Sequence, residues 1–187
     1  MKNIKSYLIT DPNYFSDNKE IFKEKLIAVL KNHKIDFACF RDKSSQNIEE
    51  LAKIFLQICK EFKIENILIN SNISLAIKLG FDGVHLNSQQ FDKIENAKKS
   101  KLITIISCHN LEELEKAMNK NIDFVTYSPI FDTPNKGQSK GVDKLNEVIE
   151  KFPNLKIFAL GGIIQNEQIK EIEKTKAYGF ASIRYFI

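Results

Sequence analysis

Apolar residues come in short runs along this chain: SYLIT, DFACF, ENILIN, GVHL, LITIIS, DFVTYS, KIFAL and YGFASI. Several runs are apolar at successive positions rather than alternate ones, which is the pattern of parallel strands covered on both faces. Between them the spacing lengthens to every third or fourth position. In NIEELAKIFLQICKEF, for example, Ile48, Leu51, Phe55, Ile58 and Phe62 fall on one side of a helix. Boundary signals agree with this division. Asn47 with Glu50, and Asn110 with Glu113 ahead of Leu114 and Met118, read as N-caps with capping boxes. Gly80 stops the helix before GVHL, and Pro153 follows the helix before KIFAL.

Eight strands alternating with about seven helices predict an α/β chain folded as a single (β/α)8 TIM barrel. The eighth helix is expected to be truncated, because YFI closes the sequence just after the last strand. The 187 residues are short against the roughly 250 typical of that fold. A doubly wound sheet is the alternative, though it would normally hold fewer strands. No Pro/Gly/Ser-rich linker or change of composition divides the chain, so residues 1–187 are read as one domain.

A barrel of this kind collects function at the C-terminal ends of its strands. Here those ends carry Thr10 and Asp11; Arg41, Asp42 and Lys43; Asn70, Ser71 and Asn72; His85 and Asn87; Ser107, Cys108 and His109; Ser128; Gly161 and Gly162; and Ser182 and Arg184. The opposite ends show chiefly ordinary turn residues. Arg41 and Lys43 suit a carboxylate or phosphate, the first as a planar fork and the second as a movable point charge, with Asp42 between them as the counter-ion of a plain solvated turn. Gly161 and Gly162 precede a helix start, where backbone N–H groups can approach an anion. The connection SPIFDTPNKGQSKG, residues 128–141, is long for a βα turn and reads as a lid that brings Lys136 or Lys140 over a bound anion. His109 sits where an imidazole could move a proton, whereas His85, inside GVHL, is read as a core residue.

Charge and composition narrow the field. The 28 basic residues are scattered among 24 acids for a net +4, which does not form the stripe nucleic acid requires and suits small anionic substrates. Three cysteines without CxxC spacing, Cys39, Cys59 and Cys108, indicate neither a disulfide framework nor a zinc site, and Cys108 has no suitably placed base to make it a nucleophile. P-loop and HExxH motifs are missing and no strand end pairs two carboxylates at metal spacing, so no metal or cofactor is expected. The apolar run in MKNIKSYLITD is too short for a signal peptide and no stretch approaches a membrane span, so a cytoplasmic location without membrane contact is expected.

Taken in order, YLITD, FRDK, LIN, GFDGVHL, SCH, SPIFDTPNK and ALGGI resemble the thiamin phosphate synthase and thiazole tautomerase superfamily over nearly the whole chain. The resemblance implies a (β/α)8 barrel, a phosphorylated thiazole as small-molecule ligand and a possible homodimer. For the synthase branch, which joins a pyrimidine diphosphate to a thiazole phosphate and expels pyrophosphate, Arg41, Lys43, Asn70 and Lys136 match diphosphate-binding positions. Cys39, however, stands for the pyrimidine-contacting Gln, and Ser71 and Gln90 for the two Mg²⁺-binding acids. The tautomerase branch needs no metal and uses a His after strand five, matched by His109. The expectation is therefore a metal-independent thiazole tautomerase with His109 as acid and base and Arg41 or Lys43 on the substrate carboxylate. Gly161, Gly162, Ser182, Ile183 and Arg184 would seat the phosphate under Lys136, with Ser107 and Thr133 also touching substrate. The synthase, with Mg²⁺, and a non-catalytic phosphate-binding paralogue are the alternatives.

Overall fold

The eight apolar runs form eight parallel strands: β1 Lys5–Ile9, β2 Phe37–Phe40, β3 Asn66–Asn70, β4 Gly83–Leu86, β5 Ile103–Cys108, β6 Phe124–Tyr127, β7 Ile157–Leu160 and β8 Gly179–Ser182. In the computed structural model, which describes residues 4–134 and 136–187, they close in sequence order into a barrel, β1 pairing β8 with Lys5 opposite Gly179. Residues 1–3 of the N-terminal stretch and Asn135 of SPIFDTPNK lie outside the described residues. The α/β barrel expected from the sequence is the fold observed, and a doubly wound sheet is excluded by the closure.

Alternation along each strand divides the core in two. Tyr7, Phe37, Leu68, Ile105, Phe124 and Phe158 point inward and fill the barrel, with Phe37 packed edge to face on Phe124 at 5.2 Å and on Phe158 at 5.1 Å. Their neighbours Leu8, Ala38, Ile67, Ile106 and Val125 point outward beneath the helices. Both sets are buried, which is why the strands read as continuous apolar runs. Each fully buried Leu, Ile or Phe contributes roughly 2–3 kcal/mol.

Helices α2 (Lys19–Asn32), α3 (Ile48–Glu61), α4 (Ile73–Leu79), α5 (Ile94–Lys99), α6 (Leu111–Asn119), α7 (Gly141–Lys151) and α8 (Asn166–Glu173) follow the strands, preceded by the short α1, Pro12–Phe15. After β8 there is only a 3-10 turn, Arg184–Phe186. Gly80 ends α4 in the left-handed conformation, φ 78°, as read from the sequence. The capping box at Asn47 does not form. Its side chain makes no cap bond, because Glu50 is drawn to Lys19 at 2.6 Å and the Asn47 amide donates to the Asp17 carbonyl. At Asn110 the side chain does accept from the Glu113 N–H at 2.9 Å, but Glu113 returns the bond to the N–H of His109.

Candidate active site

The parity that builds the barrel interior also decides what reaches its mouth. Continuing the inward positions by two residues from Cys39, Leu68, His85, Ser107 and Thr126 leads to Arg41, Asn70, Asn87, His109 and Ser128. Five strands thus converge polar side chains on one opening, and these include Arg41, Asn70, Ser107 and His109 among the expected site residues.

Arg41 does not stand free. Its guanidinium is paired with the carboxylate of Asp11, which also caps α1 by accepting from the Asn13 N–H at 3.1 Å. Asp42, the counter-ion in the plain-turn alternative, feels the Arg41 charge but forms no ion pair with it. It accepts from the N–H groups of Ser44 and Ser45 and from the Ser45 hydroxyl, and these bonds hold its carboxyl below the usual range against the opposing effect of burial. Lys43 is exposed beside it. Asp11 was visible at a strand end, and Asp followed by Pro12 is an N-cap and first-turn signature, but its link to Arg41 joins two different strands and has no local signal.

At the ends of β3 and β4, Asn70 donates to the Ser71 hydroxyl at 3.1 Å. Gln90 donates to the Ser71 carbonyl at 3.2 Å and accepts from the Asn87 N–H at 3.1 Å. Hydroxyl and amide groups satisfy one another here, at the two positions where the resemblance would require acids for Mg²⁺. Among the described residues no group of three or more His, Cys, Asp or Glu could hold a metal ion. Asp132, an acid of the long connection, is exposed and accepts from Ser139.

His109 lies at the end of β5 with its Nδ1 3.1 Å from the Ser128 hydroxyl and 3.3 Å from the Ser128 carbonyl. With the ring proton on Nδ1 the imidazole donates to that carbonyl and Nε2 is the basic nitrogen, whereas with a bare Nδ1 the Ser128 hydroxyl donates to the ring; either way Ser128 fixes the orientation of the imidazole. Ser128, the partner that orients the ring, carried no role in the sequence reading. His85 is buried in the barrel interior, as read from the sequence, and burial together with the Arg41 charge pushes it down to about 4. Cys108 and Cys59 are buried free thiols whose pKa burial raises, so neither is a ready nucleophile. Cys39 is pushed up to about 12 for the same reason.

The glycine pair is tied to the long connection beside it. Ile130 N–H donates to Leu160 O at 2.9 Å and Phe131 N–H to Gly161 O at 3.0 Å, so the base of the connection runs against the end of β7. Gly161 and Gly162 have φ of 97° and 71°, and a Cβ on Gly162 would lie 2.5 Å from the Phe131 carbonyl. The need for glycine is therefore set by this close approach, whatever a ligand adds. Thr133, half-buried, donates to Phe131 O at 3.0 Å, and Lys136 is exposed. Lys140 is directed elsewhere, with its ammonium 5.5 Å from the ring of Tyr127 on the helix-facing side of β6. The Ser182 hydroxyl is buried and donates to Ile163 O at 2.8 Å, tying together the loops after β7 and β8. Ile183 packs on the barrel interior and Arg184, half-buried, begins the last turn.

Among the described residues no helix is long and apolar enough to cross a membrane. The thiamine monophosphate synthase family model matches residues 6–186. A protein of Aquifex aeolicus (strain VF5), provisionally named thiamine-phosphate synthase 2, is 36% identical over 186 residues, 97% of this chain and 96% of that one. Thiamine-phosphate synthase 1 of Streptococcus pneumoniae (strain ATCC BAA-255 / R6) is 31% identical over 154 residues, covering 77% of this chain and 72% of its own. The solved thiamine phosphate pyrophosphorylase of Pyrococcus furiosus superposes with a TM-score of 0.82 at 25% identity, covering 96% of this chain and 85% of that one.

Proposed function

Because the chain belongs to the thiamine monophosphate synthase family, we propose that it works in thiamine biosynthesis and takes a thiazole phosphate into the barrel mouth. The observation that carries this is the convergence of Arg41, Asn70, Ser107, His109 and Ser128 on one opening of a barrel that matches the family from end to end. On the reaction, the relatives support condensation with a pyrimidine diphosphate. Those described above are named for it and none for a tautomerase, so the synthase takes precedence over the tautomerase expected from the sequence.

In that reaction the new C–N bond forms on the pyrimidine methylene as its C–O bond to diphosphate breaks, and the bonding pair leaves on pyrophosphate. Arg41, Lys43 and Lys136 would neutralise the departing charge and Asn70 would donate to it. The family resemblance also implies Mg²⁺, which is usually held by one or two carboxylates together with phosphates. Ser71 and Gln90, bonded to each other and carrying no charge, do not fit that ion. Charge neutralisation in this chain therefore falls to its cations.

A second reading is favoured by one specific contact. Ser128 holds the Nδ1 side of His109, so that in the Nδ1–H tautomer Nε2 can take and return a proton, as the metal-independent tautomerisation requires. One experiment separates the two. Purified protein is given the pyrimidine diphosphate and thiazole phosphate, with and without Mg²⁺, and separately the carboxythiazole phosphate. Pyrophosphate release is expected. Aromatisation of the carboxythiazole without pyrophosphate release under either condition would overturn the synthase reading in favour of the proton shift. Binding without either reaction would leave the non-catalytic paralogue.

A further inference from the structure

A polar line crosses the otherwise apolar barrel just below its mouth, and of its members only Ser107 is given a task by the sequence. His85 contacts the Tyr7 hydroxyl through Nδ1 at 2.9 Å and the Ser107 hydroxyl through Nε2 at 3.1 Å, with Thr126 3.5 Å from the same nitrogen. Tyr7 and Thr126 are fully buried, His85 nearly so, and Ser107 is half-buried at the rim. A buried imidazole of this kind is neutral at pH 7 and has one N–H and one lone pair to share between the two sides.

Two proton arrangements satisfy the chain, and they differ in strength. In one, Tyr7 donates its O–H to Nδ1, and Nε2–H donates to Ser107. In the other, Nδ1–H donates to Tyr7, whose own proton is then left to the neighbouring Cys39 sulfur, a weak acceptor, while Ser107 gives its proton to Nε2. Both keep one O–H···N and one N–H···O bond to the ring and differ in the hydroxyl proton left over. In the first it belongs to half-buried Ser107 at the rim, where water or a ligand oxygen can accept it, and in the second to fully buried Tyr7, which has only the sulfur. The first arrangement is therefore the lower in energy, and it has a consequence at the rim: the Ser107 oxygen accepts from below, so its proton is turned away from the ring.

We infer that His85 is a positioning residue, fixed by Tyr7 as the Nε2–H tautomer, which turns the Ser107 hydroxyl into a donor aimed at an oxygen of the phosphorylated substrate. The inference rests on the proposed function only in needing a phosphorylated ligand at the mouth. Tyr7 sets the tautomer, His85 transmits it across the barrel and Ser107 delivers it.

The test has two arms on the full chain. Histidine labelled with ¹⁵N reports at pH 7 which ring nitrogen carries hydrogen, the His85 signals being assigned by their loss in His85→Gln. A proton on Nε2 and a bare Nδ1 are expected, and a proton on Nδ1 overturns the inference. The second arm measures thiazole phosphate binding. Ser107→Ala is expected to weaken it tenfold or more, the scale of one hydrogen bond to a charged group. Tyr7→Phe, which keeps the ring packing, weakens it several-fold alone and adds nothing in a Ser107→Ala background; losses that multiply in the double variant overturn the inference. His85→Gln, whose amide can still donate, retains more binding than His85→Leu, and equal loss in both overturns it. If the wild type binds no thiazole phosphate while the proton sits on Nε2, the failure belongs to the proposed function, and the role given to Ser107 falls with it.

Discussion

Replacing Gly162 with alanine separates two reasons why a glycine ends β7. A Cβ there would lie 2.5 Å from both the carbon and the oxygen of the Phe131 carbonyl and 2.6 Å from Asp132 O, at a φ of 71°. The left-handed conformation alone costs a non-glycine residue roughly 1–2 kcal/mol. All three contacts are backbone, so relief requires the base of the long connection to move, straining the Ile130 N–H to Leu160 O and Phe131 N–H to Gly161 O bonds. At about 1 kcal/mol for each bond, the total comes to about 3–4 kcal/mol, a large share of the 5–15 kcal/mol typical of a domain. Gly80→Ala is the internal control, because its φ is 78° but nothing lies within 4 Å of the added carbon, so only the conformational cost should appear. Urea unfolding of the two variants gives the comparison. A Gly162→Ala loss no greater than that of Gly80→Ala would refute the claim that the connection presses on the glycine pair.

Three further outcomes follow from the same geometry. His85 is neutral in the folded barrel and held down at about 4, among Tyr7, Ser107 and Thr126 and near Arg41, so its contribution is complete above the unfolded value near 6.5 and is lost as pH falls toward 4. Wild type should lose about 3 kcal/mol more than His85→Gln between pH 7 and pH 4 in urea titrations, and parallel losses would contradict the burial argument. Asp11→Asn removes the counter-ion of Arg41 and should tighten thiazole phosphate binding by about tenfold in calorimetry, a partly screened charge's worth; unchanged affinity would mean that Arg41 faces away from the ligand. Lys43→Ala and Lys136→Ala, both at exposed positions, should each weaken the same binding by up to about fivefold while shifting stability by less than about 0.5 kcal/mol.

The barrel was legible because each strand, buried on both faces, announces itself locally as an apolar run, and eight such runs in order leave few ways to close. What joins distant parts of the chain was not legible. Glu50 abandons its capping box for Lys19, and Arg41 spends its fork on Asp11, each through a partner about thirty residues away. Gly161 and Gly162 read locally as an anion site, but what crowds them is Pro129 and Thr133 at the first and Phe131 and Asp132 at the second, on a segment whose path no local pattern reveals. Lys136 and Lys140 looked equivalent within one lysine-rich loop, yet the exterior-facing ring of Tyr127 holds Lys140 away from the mouth. His109 was placed by resemblance. Its orientation is a product of Ser128 on the adjacent strand and could come only from the paired strands.

The central claim is that the polar groups converging on the barrel mouth bind a thiazole through its phosphate. Calorimetric titration of the purified chain with the thiazole phosphate and with the corresponding unphosphorylated alcohol tests it most directly. The account predicts that the phosphate ester binds at least about tenfold more tightly, as expected of even one charge-assisted hydrogen bond. Equal affinity for the two, or binding of neither, would contradict it.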